Sequence, residues 1–93
     1  MDAAQNTDIF YTDVYASMGQ EAEYEERLQI FKGFQVNSKV LSVANTDPII
    51  MHCLPAHREE EITAEVFEAQ ANVIFDEAEN RLHMQKAIMA TIM

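Results

Sequence analysis

The run Ile49-Ile50-Met51-His52-Cys53-Leu54, IIMHCL, carries the strongest fold signal in the chain. It follows Thr46-Asp47-Pro48, is closed by Pro55, and has strand length without the polar alternation of a strand with one wet face. A strand of this kind is expected to be covered on both faces, as in parallel sheets clothed by helices. Upstream, IFYTDVY at residues 9–15 is rich in β-branched and aromatic types, and Gly19 breaks the loop after it, which predicts a first strand.

Between these runs the period changes. Tyr24, Leu28 and Phe31 fall at helical spacing, with dense acids on the other face and Gly33 beyond the end. Val40, Leu41 and Ala44 predict a second short helix capped by Asn37 or Ser38. Downstream, Thr63 is expected to cap a brief helix through Val66, Phe67 and Ala69, and residues 72–75 read as a third short strand. Residues 79–93 then read as a terminal helix. The expected fold class is α/β: part of a three-layer, Rossmann-like parallel-sheet domain with about three short strands and flanking helices.

Composition narrows the function. The 93 residues hold 16 acids against 6 Lys and Arg, a formal charge of -10, with 48% apolar residues, so the charge decorates a folded surface. One domain at most is expected, because a chain of this length hides roughly two thirds of its unfolded surface. No basic cluster suits nucleic acid, and the charge disfavours anionic membranes. Neither a run of about 18 apolar residues nor a signal-peptide pattern occurs, so a cytoplasmic protein is expected. Cys53 is the single cysteine and acts as a thiol.

Ligands of parallel sheets gather beyond the carboxyl ends of the strands, which directs attention to residues 13–19, 52–58 and 76–81. Asp13 suits an ammonium group, or serves only as a turn acid. Ser17, Met18 and Gly19 suit a carboxylate-binding loop, or only a turn. Cys53 is a nucleophile, a proton shuttle, a ligand contact or an inert buried thiol. His52 polarises a carbonyl or is structural, and neighbouring strand residues point to opposite faces, which weakens a dyad with Cys53. Arg81, expected near the start of the terminal helix, is an anion clamp or an ion-pair partner of Glu77 and Glu79. His52, His57 and His83 with Glu59, Glu60 and Glu61 match no zinc spacing, so no metal is expected. The three acids read as a solvated helix start. The six methionines read as adaptable core or interface filler.

Taken together, Thr12-Asp13-Val14, Ser17-Met18-Gly19-Gln20-Glu21, Phe34-Gln35-Val36-Asn37, His52-Cys53-Leu54-Pro55-Ala56-His57-Arg58 and Glu77-Ala78-Glu79-Asn80-Arg81-Leu82-His83 resemble, in order and spacing, the ornithine carbamoyltransferase family. The resemblance spans essentially residues 1–93 and corresponds to the C-terminal portion of the family's ornithine-binding domain. It implies transfer of the carbamoyl group of carbamoyl phosphate to the side-chain amine of ornithine, giving citrulline and phosphate, in arginine metabolism and with no metal or organic cofactor. By the same resemblance Asp13 contacts the ornithine α-amino group, while Ser17 and Met18 hold its amino-acid end. Cys53 and the Leu54 carbonyl lie near the reacting groups, with Cys53 linked to Asp13 as the catalytic pair. Arg81 meets carbamoyl phosphate, and His52 positions. The family's N-terminal carbamoyl-phosphate domain, with its Ser-Thr-Arg-Thr signature, is not among these residues. The chain alone is therefore expected to be inactive and to need that domain and homo-oligomeric assembly. The competing expectation is a non-catalytic amino-acid-binding or protein-interaction module.

Overall fold

The computed structural model describes residues 1–93 except Met18 and Gln20. Two strands, β1 (Ile9–Thr12) and β2 (Ile49–His52), pair in parallel with Ile9 opposite Ile49 and Thr12 opposite His52. The crossover between them holds the two helices expected from the sequence, α1 (Tyr24–Ile30), entered through a 3-10 turn at Glu21–Glu23, and α2 (Ser38–Leu41). After β2 come α3 (Ala64–Ala69) and the long α4 (Ala71–Ile92).

Local chemistry sets these boundaries. Asn37 caps α2 by accepting the Val40 amide at 3.0 Å, and Thr63 caps α3 by accepting the Val66 amide at 3.4 Å. Gly33 follows α1 at φ 96°, a conformation that glycine adopts without the steric penalty of a side chain. Pairing of Val36 with Ile62, through Val36 N–H to Glu61 O at 2.8 Å and Thr63 N–H to Val36 O at 3.1 Å, draws the chain after β2 back across the crossover.

The core forms where Ile50 meets Ile62, Val66, Phe67 and Ile74, with Val36 alongside and Phe10, Leu41, Leu54 and Ala56 closing its edge. Burying one such branched side chain contributes roughly 1.5–3 kcal/mol. Three sequence expectations are corrected here. β1 stops at Thr12, leaving residues 13–15 as the start of the loop that shapes the site. β2 is covered on one face only: Ile50 and His52 are buried, whereas Ile49 and its pair Ile9 are exposed. Finally, among the described residues the sheet has two strands, because residues 72–75 are the first turns of α4. No Gly or Pro follows Pro55, so nothing interrupts helix from Ala71 onward, and Ile74 reaches the core from a helical face.

Replacing fully buried Ile62 with Ala should lower the unfolding free energy by about 2–5 kcal/mol. Leu82→Ala, at an exposed position on α4, should change it by less than about 0.5 kcal/mol. Urea denaturation followed by circular dichroism measures both.

Candidate active site

Parallel pairing brings both strands to an end at the same edge. Because Thr12 lies opposite His52, the next residues, Asp13 and Cys53, leave the sheet side by side. The Cys53 thiol donates a hydrogen bond to the Asp13 carboxylate, whose Oδ1 also accepts the Val14 amide at 2.7 Å. That thiol bond, assisted by the Val14 amide and opposed by burial, holds Asp13 below the ordinary carboxylate range. Burial, then the bond to Asp13 and its negative charge, push the Cys53 thiol up to about 11. Near neutrality the pair is therefore a carboxylate and an intact thiol. A thiol in this state is a poor nucleophile, which leaves orientation and proton contacts as its chemistry.

The other strand-end residue, His52, turns inward, as alternation along a strand requires. Both of its ring nitrogens are engaged: Nδ1 accepts the Leu54 amide at 2.8 Å, and Nε2 lies 2.7 Å from Glu61 Oε1. Nδ1 as acceptor carries no proton, so Nε2–H is the donor and the ring is neutral. Glu61 Oε1 also accepts the His57 amide at 2.8 Å. His52 thus holds Leu54 at φ 56°, a left-handed conformation that costs a non-glycine residue roughly 1–2 kcal/mol. The consequence is an abrupt turn of the chain immediately after Cys53.

The three stretches singled out from the sequence meet around a cavity of about 470 Å³. Asp13 and Ser17 line it from the first loop, Cys53, Leu54 and His57 from the second, and Arg81 from α4. Met18 lies outside the described residues. Arg81 sits in the middle of α4 rather than near its start, since the helix begins at Ala71. Among the described residues it makes no ion pair with Glu77 or Glu79. Glu77 is spent elsewhere: its Oε2 accepts the His52 amide at 3.1 Å, and the carboxylate also accepts the Tyr11 phenol, which ties α4 to the ends of both strands.

The acids read as a solvated helix start are also corrected. Glu59 turns at φ 67° and its carboxylate accepts the Ala64 amide at 2.7 Å, Glu60 accepts the Tyr24 phenol, and Glu61 is fully buried. The turn they occupy precedes α3 instead of beginning it. Neither Glu61 nor Glu77 was visible as a supporting residue in the sequence, because the His52 ring that Glu61 meets and the His52 amide that Glu77 accepts lie 9 and 25 residues away. The histidines separate as well. His83 faces Glu79 at 3.3 Å on α4, His52 is buried, and His57 groups with Glu60 and Glu61.

The sequence and fold that carry this cavity are matched by known proteins. Residues 1–92 match the model for "Aspartate/ornithine carbamoyltransferase, Asp/Orn binding domain". The chain belongs to this family. It is 56% identical over its whole length to an ornithine carbamoyltransferase of Hydrogenovibrio crunogenus, of which it covers 31%. To that of Thermococcus kodakarensis it is 57% identical, again over its whole length, covering 30% of the relative. The crystal structure of the anabolic ornithine carbamoyltransferase of Campylobacter jejuni superposes with a TM-score of 0.92 at 46% identity, over 97% of this chain and 30% of the other. The chain thus spans about 30% of the length of the relatives it matches. No helix among the described residues is long and apolar enough to cross a membrane.

The Cys53 alkylation rate with iodoacetamide should rise with pH to a midpoint of about 11. Asp13→Asn should bring that midpoint down towards the ordinary thiol value of about 8.5. Because the folded thiol titrates above the unfolded one, its contribution to stability is complete below about 8.5 and is lost as pH rises towards about 11. Asp13 has the opposite sign: its contribution is present above the unfolded value of about 3.9 and is lost as pH falls through the lower folded value. His52→Ala, which leaves buried Glu61 short of a donor and releases Leu54, should cost about 3 kcal/mol in urea denaturation.

Proposed function

We propose that this chain supplies the ornithine side of a carbamoyltransferase site, which transfers the carbamoyl group of carbamoyl phosphate to the side-chain amine of L-ornithine, giving L-citrulline and phosphate. The observation that carries the reading is the Asp13–Cys53 pair at the shared strand ends, in one cavity with Arg81 and on a chain of this family. In the reading, residues 1–93 are the C-terminal portion of an ornithine-binding domain, and the carbamoyl-phosphate side comes from outside them. Homo-oligomeric assembly belongs to the same proposal, supported by the exposed Leu82, Ile88 and Ile92 on α4. The anabolic relatives favour a place in arginine biosynthesis.

Each role follows from the charge and donors available. Asp13, held as a carboxylate, receives the α-ammonium of ornithine through a charge-assisted hydrogen bond. Ser17, with Met18 beside it in sequence, holds the amino-acid end and covers it from water. The Cys53 thiol, oriented by Asp13, and the Leu54 carbonyl, turned by His52, align the reacting side-chain amine. The amine attacks as a free base: its lone pair forms the new C–N bond, the bond from the carbamoyl carbon to the phosphate oxygen breaks, and phosphate leaves with that electron pair. The proton shed by the attacking nitrogen passes to the departing phosphate. Arg81, with no competing ion pair among the described residues, offers its fork of donors to the phosphate as charge accumulates. Neither Asp13 nor Cys53 forms a covalent intermediate in this scheme.

Assembled with the remaining portion of the Hydrogenovibrio crunogenus relative, the chain should form citrulline in an ornithine-dependent assay. Asp13→Ala should lower kcat/KM by about 10²-fold or more, and Arg81→Lys should raise KM for carbamoyl phosphate. A properly assembled complex that does not turn over would overturn the proposal. The amino-acid side of the cavity, lined by Asp13 and Ser17, supports a second reading, a non-catalytic amino-acid-binding module. Calorimetric titration of the chain alone with ornithine decides that reading: no binding, with no effect of Asp13→Ala, rejects it.

A further inference from the structure

We propose that the turn at residues 57–61 is a divalent-cation site held by His57, Glu60 and Glu61, of the kind taken by a first-row transition ion such as Mn²⁺. The proposal is independent of carbamoyl transfer. One ligand atom from each of the three residues lies within 4.8 Å of the others, a mixed imidazole and carboxylate set suited to such ions. Proximity of acids is common on surfaces, and a second observation separates this group from such a case. Glu61 is fully buried, its Oε1 takes two N–H donors, from His52 and His57, and its Oε2 is buried with no partner.

A buried carboxylate oxygen left bare costs free energy unless something supplies positive charge or a donor there. Among the described residues no hydrogen bond or ion pair does: the neutral His52 is spent on Oε1, no Lys or Arg pairs with Glu61, and the buried Tyr15 hydroxyl, which feels the charges of Glu61 and Glu60, is itself without a partner. The surroundings also resemble those of ligating carboxylates, which are characteristically fixed by hydrogen bonds from outside the site. Glu61 is fixed by His52 and the His57 amide, and Glu60 by the Tyr24 phenol. Two acids brought together repel; a cation offsets both charges, whereas a water molecule only bridges them. The turn assembles the set, since Glu60 N–H bonds His57 O at 3.1 Å and Glu59 N–H bonds Ile62 O at 2.8 Å, and sequence spacing carries no sign of it.

The test uses the chelator-treated chain and Mn²⁺, with bound and free ion separated by electron paramagnetic resonance and the fold of each variant checked by circular dichroism. One Mn²⁺ per chain is expected, with Kd raised about tenfold or more by His57→Ala and by Glu60→Gln, and unchanged by Cys53→Ser, which alters the thiol of the neighbouring cavity. Absence of saturable binding at millimolar Mn²⁺, which would leave water alone at Glu61 Oε2, overturns the proposal. So does binding that survives His57→Ala or disappears with Cys53→Ser.

Discussion

The buried hydrogen bond between His52 and Glu61 organises the end of this molecule where the two strands stop. Its two partners are fully enclosed, and each also holds a backbone amide: His52 Nδ1 that of Leu54, Glu61 Oε1 that of His57. One side-chain pair therefore determines the path of the chain for several residues after β2. A buried polar network of this sort rigidifies when satisfied and is costly when broken, because the partner left behind has no water to turn to. Glu77 adds a third strap by accepting the His52 amide, so that α4, the strand ends and the loop after β2 are held as one unit.

On that support the chemistry becomes a matter of register. Parallel pairing with Thr12 opposite His52 places Asp13 beside Cys53, and their hydrogen bond moves the two groups in opposite directions: the acid remains charged and the thiol remains protonated. A lone cysteine at a strand end suggests a nucleophile; here burial and the neighbouring carboxylate withhold that role. The same arrangement puts a fixed negative charge and an arginine in one cavity, the two charges that the proposed reaction calls on.

Much of the frame was legible in the residues. The caps at Asn37 and Thr63, the two helices of the crossover and the apolar run of β2 follow from local propensity and hydrogen bonding, which act within a few residues. The third strand expected at residues 72–75 fails for the complementary reason. Val73, Ile74 and Phe75 suit strand and helix alike in isolation, and the continuity of helix after α3, with Ile74 directed into the core, selects the helix. Glu59, Glu60 and Glu61 show the limit most plainly: identical neighbours in sequence, they become a helix cap, a phenol acceptor and a fully buried network member.

From residue identity alone came the helix caps at Asn37 and Thr63, the strongly acidic charge, the three polar stretches after the apolar runs, and the family that the motifs resemble. These properties depend on residue identity and short spacings. Folding in three dimensions added that burial and Asp13 together keep Cys53 from ionising, that His52 faces Glu61 instead of the cavity, and that Arg81 arrives from the middle of a helix. Each of these is set by which distant groups share a low-dielectric space, and hydrogen bonds and charges act across that space whatever their separation along the chain.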